Sequence, residues 1–299
     1  MYLVTGAGGG GGSVSRRVVQ TLRDEGEQVR AMVHRDDARA HLLRELGAQV
    51  VVGDLTDPVD VFNAMRDVKR MFFNMSVSQE YLRATAVVCA AALDEIHPEL
   101  VVNMSQMTVS QMTLTSAEES RQQRLHWLSE HIMNWSGVPV VHVRPTVFLD
   151  NPLFTTLARR PVRERGVLAL PFGTGKTSPI AAADVARVVA TLLHNSAGGK
   201  GEVYELTGPE VLDIRGLAER YSRALNRPIS AEDLPYDEWV AHYLRTSGLP
   251  EHVQQHIATM ARLHREDRYN RTTDDVEKVT GQPAQTVDQY IAGHPTLFY

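Results

Sequence analysis

Residues 1–20 read MYLVTGAGGGGGSVSRRVVQ, and how the glycines in them are read decides the fold. Glycine runs usually mark flexible tethers between domains. This one starts at Gly6, straight after the apolar segment Tyr2–Val4, and leads into Val14, Val18, Val19 and Leu22 at helical spacing. A strand, a glycine loop and a helix in that order set backbone N–H groups and a helix N-terminus against a pyrophosphate. Gly6, Gly9 and Gly12 supply a GxxGxxG spacing, for the tight turn, the close backbone approach and the helix–strand packing. Gly6, Gly8 and Gly11 spell the GxGxxG variant, so the register stays open. Gly6, Gly9, Gly10, Gly11 and Gly12 are read as a dinucleotide cradle.

Outward from this stretch, six β-branched runs alternate with segments that suit helices. The runs are YLVT, QVRAMV, AQVVVG, KRMFFN, ELVVNM and VPVVHVRP, and the helical segments lie at 13–25, 37–46, 58–66, 79–95 and 118–136. Parallel strands need a crossover, usually a helix, so the rhythm predicts an α/β fold with a doubly wound parallel sheet. Near-continuous apolar strands agree with a sheet covered on both faces. After Arg144 and Pro145 the rhythm weakens into short helices, the loop LPFGTGKTSP, a last strand in VYELTG and a helical tail from Asp213. The expected division is a nucleotide-binding domain over 1–150 and a smaller, mainly helical substrate lobe over 151–299, with 180–207 returning to the first.

The end of the second strand, VRAMVHRDD, decides between the nicotinamide cofactors. An acid there bonds the ribose hydroxyls of NAD, whereas a cation pairs with the extra phosphate of NADP. His34 and Arg35 occupy the tip, with Asp36 and Asp37 just beyond. Arg35 as a planar donor favours NADPH over NAD, although a slip of one residue brings Asp36 into play. Asp54 and Leu55, ending the third strand, fall near the adenine, and Asp54 equally suits the cap of the next helix. Ligands of open α/β sheets bind beyond the carboxyl ends of the strands. That places Met75 and Ser76 on the cofactor side, and Met104, Met107, Thr146, Phe148 and Asn151 as candidate substrate-lining residues. Methionines adapt to flat or bulky apolar shapes, and they serve equally as ordinary core.

The bulk properties narrow the partners. The chain has 299 residues, 43% hydrophobic and 22% charged, with a formal net charge of −5 and no dominant basic block, so no nucleic-acid footprint is expected. No apolar run approaches the ~18 residues that cross a bilayer, so no membrane is expected. The apolar start without a basic leader predicts the cytoplasm. The single cysteine, Cys89 in ATAVVCAAAL, excludes an internal disulfide and reads as a small buried hydrophobe. The expected partner is a small-molecule substrate, and a homo-oligomer is compatible with the sequence.

The stretches LVTGAGGGGG, VRAMVHR, VVVGDLTDP, SEHIMNWSGVPVVHVRPTVFLDNP, PIAAADVARVVATLL, YELTGPE and DDVEKVTGQPAQTVDQYI together resemble the NmrA-like branch of the atypical short-chain dehydrogenases/reductases, nearly end to end. The resemblance implies a Rossmann-type sheet, a small C-terminal substrate lobe and NAD(P) binding, usually with NADP preferred. The family is divided between reductases of small molecules and proteins that bind the dinucleotide to regulate a partner. In the wider superfamily a serine, a tyrosine and a lysine four residues later carry the proton chemistry. Alignment on Glu130 and WSGVP puts Ser105 at the serine position, Gln122 at the tyrosine position and His126 at the lysine position.

Glutamine gives up no proton near neutral pH, so the standard acid is missing. His126 is the candidate to donate or relay a proton, or else a polar group that bonds the nicotinamide ribose. Ser105 is the candidate to orient a substrate oxygen. An acceptor that needs no strong acid fits best: a quinone, an imine or iminium, an activated alkene or a carbonyl so activated. The expected function is an NADPH-dependent oxidoreductase, and the alternative is a non-catalytic NAD(P) sensor that binds a protein partner.

Other signals carry less. FGTGKT mimics a triphosphate-binding loop, but GxxxxGK[ST] needs glycine where Leu170 stands. His252, His256 and His264 share a helical spacing without an HExxH glutamate, which reads as a solvated face, and no metal is expected.

Overall fold

The computed structural model describes residues 1–8, 14–195 and 201–298. Six strands appear where the β-branched runs predict them: β1 Tyr2–Val4, β2 Val29–Val33, β3 Gln49–Val52, β4 Arg70–Phe73, β5 Leu100–Met104 and β6 Val140–Pro145. Among them run α1 Val14–Asp24, α2 Ala38–Glu45, α3 Pro58–Met65, α4 Tyr81–Ala91 and α5 Arg121–Ser136. Later elements include α6 Arg159–Arg165, β7 Val167–Leu170, α7 Ala182–His194, β8 Val203–Leu206, α8 Ile214–Leu225, β9 Ser230–Asp233, α9 Tyr236–Trp239 and α10 Glu251–Arg265.

The main sheet runs β3-β2-β1-β4-β5-β6-β8, with β1 to β6 paired in parallel. Both faces are covered, and β2 and β5 are buried at every residue. The chain leaves β1 toward β2 on one side and returns to β4 on the other. This reversal opens a crevice at the carboxyl ends of β1 and β4, where such sheets take ligands.

Local chemistry places the helices around that crevice. Asp57 caps α3 by accepting from the backbone N–H groups of Val59 and Asp60, and Pro58 opens the helix, where its missing N–H costs nothing. Asp37 caps α2 by accepting from the Arg39 N–H. One apolar cluster joins Leu3, Val61, Met65, Met71, Phe73, Tyr81, Val88, Val101 and Met133 between sheet and helices. Cys89 is buried in this cluster.

The chain forms two compact units. The first comprises Met1–Val109, Arg121–Arg144 and Val185–Tyr204, and the second Ser110–Ser120, Pro145–Asp184 and Glu205–Tyr299. The second unit has its own core, with Phe154, Phe172, Leu217, Tyr221, Trp239, Ile291 and Phe298 almost fully buried. It also has a two-stranded parallel sheet of β7 and β9. Neither strand is expected from the sequence. β9 is Ser-Ala-Glu-Asp, without β-branched residues or apolar alternation, and its pairing with β7 holds it extended.

Candidate functional site

In the first unit, a cavity of 520 Å³ lies at the carboxyl ends of β1, β2, β3 and β4. It gathers Gly6, His34, Arg35, Asp54, Leu55, Met75 and Ser76, all expected on the cofactor side, and adds Gly8, Ser78 and Glu80. Gly9, Gly10, Gly11 and Gly12 lie outside the described residues.

Gly6 follows β1 with φ +71°, and a Cβ there would stand 2.7 Å from the Asn74 carbonyl oxygen. Both the turn and the close approach exclude a side chain. The adjoining Thr5 hydroxyl locks the ends of β1 and β4 together: it accepts from the Asn74 N–H at 2.9 Å and donates to the Asn74 carbonyl at 2.7 Å. Asn74 Nδ2 donates in turn to the Ser15 hydroxyl at 2.9 Å, tying this edge to α1.

At the tip of β2 the two acids are engaged by cations of α2. Arg44 donates to both carboxylate oxygens of Asp36, at 2.7 and 3.0 Å, which holds that carboxyl below its ordinary range. Asp37 receives the Arg39 guanidinium and its N–H, and these bonds bring its carboxyl down to about 2. Arg35 is exposed at the cavity and makes no hydrogen bond or ion pair among the described residues. Asp54 does not cap α3, a task that falls to Asp57. Its Oδ1 accepts from the N–H and hydroxyl of Thr56, both at 2.8 Å, which closes a local turn and lowers its carboxyl.

Ser105, Gln122 and His126 are buried. Ser105 ends β5, its N–H donating to the Val143 carbonyl at 2.8 Å. Gln122 and His126 share one face of α5, with Gln122 Nε2 3.1 Å from His126 Nε2. The Ser78 N–H donates to Gln122 Oε1 at 3.1 Å, linking the pair to the cavity wall. Tyr81, which no sequence motif singles out, lays its ring against His126 with centroids 4.3 Å apart. Its hydroxyl donates to the Met104 carbonyl at 2.9 Å, and burial pushes it far above the ordinary phenol range.

Beneath α5 lies a second polar layer. Burial alone would raise the Glu130 carboxyl, but the Arg144 guanidinium, bonding both its oxygens, holds it below the usual range. His142 accepts from Asn103 at 2.9 Å and donates to Asn134 at 3.1 Å, and burial pushes its imidazole down. Both residues of each couple are visible in the sequence, but only the pairing of β5 with β6 under α5 brings them together.

The candidate substrate residues divide between the units. Met104 and Met107 are buried in the first unit. Thr146, Phe148 and Asn151 belong to the second, where Phe148 bridges to Ile180 and Asn151 Oδ1 accepts from the Leu153 N–H at 2.9 Å.

Of the three α10 histidines only His252 is exposed. His264 is fully buried, stacked between Phe172 and Tyr269 with centroids 4.2 and 4.0 Å away, and bonded to the Met260 carbonyl and the Thr177 hydroxyl. Desolvation lowers both His256 and His264 to about 4. The packing of α10 on Phe172 overrides the polar reading of its sequence.

Residues 9–196 match the model of the NAD(P)H-binding family, to which the chain belongs. It is 28% identical over 292 residues to an NAD(P)H azoreductase of Xenophilus azovorans, covering 97% of each chain. The fold matches that of an NADPH-dependent quinone oxidoreductase of Escherichia coli complexed with NADPH, with TM-score 0.84, 22% identity and coverage of 99% of this chain and 100% of the other. It also matches NmrA, a negative transcriptional regulator in complex with NADP, with TM-score 0.79, 16% identity and coverage of 97% and 94%. The Rossmann-type sheet expected from the sequence is thus present, and its fold is shared with NmrA. Among the described residues no helix is long and apolar enough to cross a membrane.

Proposed function

We propose that the protein is an NADPH-dependent reductase of small, flat or conjugated acceptors such as quinones, azo compounds, iminium ions and activated alkenes. The observation that carries the cofactor is the charge pattern at β2. Asp36 and Asp37 are matched by Arg44 and Arg39, which leaves Arg35 to pair with a 2′-phosphate. Gly6 makes the tight turn after β1 that a dinucleotide loop requires, its φ of +71° and the Asn74 oxygen both excluding a side chain. Asp54 and Leu55 border the adenosine end, and Met75 and Ser76 the path toward the nicotinamide.

When bound, the reduced nicotinamide supplies a hydride. The chain's own part is to bind, orient and exclude water. With Gln122 where an acid is expected, the site favours acceptors whose reduced form is a delocalised anion, as with quinones and azo groups. Ser105 and His126 are read as polar groups that orient the acceptor, and Met104 and Met107 as its lining within the first unit. A single buried cysteine suits a reducing compartment, and a cytoplasmic location is proposed with it.

The missing acid also favours a second reading, a dinucleotide sensor without turnover. Calorimetry with NADPH and NADH, followed by NADPH oxidation assays with quinone, azo, enone and iminium acceptors, separates the two. Turnover with any acceptor supports the reductase. Tight NADPH binding without oxidation supports the sensor, and absence of binding removes both.

A further inference from the structure

A relay of hydrogen bonds runs from the cavity wall to the imidazole of His126. Ser78 belongs to the loop between β4 and α4 that lines the cavity, and its backbone N–H donates to Gln122 Oε1 at 3.1 Å. A backbone N–H can only donate, so Ser78 fixes which end of the Gln122 amide is oxygen. The other end is then NH2, which also can only donate. It lies 3.1 Å from His126 Nε2, so this ring nitrogen accepts. A neutral imidazole carries one proton, and here it sits on Nδ1. The neutral side chain in water prefers the opposite form, with the proton on Nε2. Burial of Gln122 and His126, at 5% and 8% exposure, and the Tyr81 ring against the imidazole keep the arrangement in place.

We infer that Gln122 is a positioning residue that holds His126 in the Nδ1–H tautomer, so that Nε2 is kept as an acceptor and cannot serve as an acid. The effect on turnover rests on the reductase reading above, whereas the tautomer rests on the geometry alone. The glutamine at the tyrosine position thereby gains a task. It passes the direction of a pocket-wall N–H through its amide to the ring four residues on.

The test reads the ring nitrogens of His126 by NMR on ¹⁵N-labelled protein at about pH 8, above the ordinary imidazole range, with and without NADPH. A His126→Asn spectrum assigns the signals. The expected result is a protonated, pyrrole-type Nδ1 and an unprotonated, pyridine-type Nε2. In Gln122→Met the donor to Nε2 is gone, and the proton moves to Nε2. In Gln122→Glu, whose carboxylate accepts toward both neighbours, the proton moves to Nε2 as well. For Gln122→Glu, kcat with a quinone falls about tenfold, on the scale of one hydrogen bond, with NADPH affinity unchanged. A wild-type ring protonated on Nε2, or variants that keep the Nδ1–H form, would overturn the proposal. Calorimetry on the same samples keeps the two failures apart: loss of NADPH binding in the wild type would sink the functional reading and leave the tautomer result standing.

Discussion

Arg44 holds Asp36 with two nearly parallel hydrogen bonds, Nη1 to Oδ1 at 2.7 Å and Nη2 to Oδ2 at 3.0 Å. The carboxylate next in sequence to Arg35 is therefore neutralised from α2 and is poorly placed to serve ribose hydroxyls. Replacing Arg44→Met frees it. The ratio of NADH to NADPH affinity is expected to rise by roughly three- to tenfold, the worth of one hydrogen bond, by calorimetry. A ratio that does not move would show that Asp36 takes no part in cofactor choice.

Arg35 carries the complementary prediction. Arg35→Ala removes a charged donor from the phosphate and is expected to weaken NADPH by about ten- to a hundredfold, while NADH changes little. Equal losses for the two cofactors would refute the assignment of Arg35 to the 2′-phosphate.

At Gly6 the backbone φ of +71° and the Asn74 oxygen, which would lie 2.7 Å from any Cβ, both oppose substitution. Gly6→Ala is expected to cost about 1–3 kcal/mol in urea unfolding, because the residue must either strain or push β4 aside. NADPH affinity falls with it. A variant as stable as the parent, with normal cofactor binding, would show that the turn relaxes freely.

His264 gives stability a pH dependence whose sign follows from its burial. Its folded imidazole lies at about 4, below the ordinary value of 6.5, so the unfolded chain binds the proton more readily. The contribution is complete above the unfolded value and is lost as pH falls through about 4. Urea midpoints of the wild type are expected to drop over that window. His264→Gln keeps a polar group near Thr177 but cannot titrate, and it flattens the curve, leaving the part due to His256. An unchanged slope would mean that other groups dominate.

The cavity at the carboxyl ends of β1 to β4 is largely legible in the sequence, because its signals are local. The β1 strand, Gly6, the α1 apolar stripe and the β2 tip each lie within a few residues, and backbone geometry alone turns them into a cavity. The buried cluster around Gln122 and His126 is legible only in part. Gln122 and His126 can be placed by their spacing on a helix, but Ser78 speaks to them through a backbone N–H, which no side chain announces. Tyr81 reaches His126 only through the packing of α4 on α5. His264 misleads for a similar reason, since its stacking partners Phe172 and Tyr269 come from outside α10. In β9 the sequence is silent, because pairing with β7, not side-chain preference, makes Ser230–Asp233 a strand.

The chain changes unit after Val109, Ser120, Arg144, Asp184 and Tyr204. One of these excursions, Ser110–Ser120, interrupts the stretch between Ser105 and Gln122 and is fastened within the second unit by Arg262 to Glu118 and by Arg268 to Glu119. The second unit therefore cannot be transplanted between relatives as one cassette. A chimera must carry Ser110–Ser120, Pro145–Asp184 and the segment from Glu205 onward together, or it parts Glu118 and Glu119 from the arginines that anchor them.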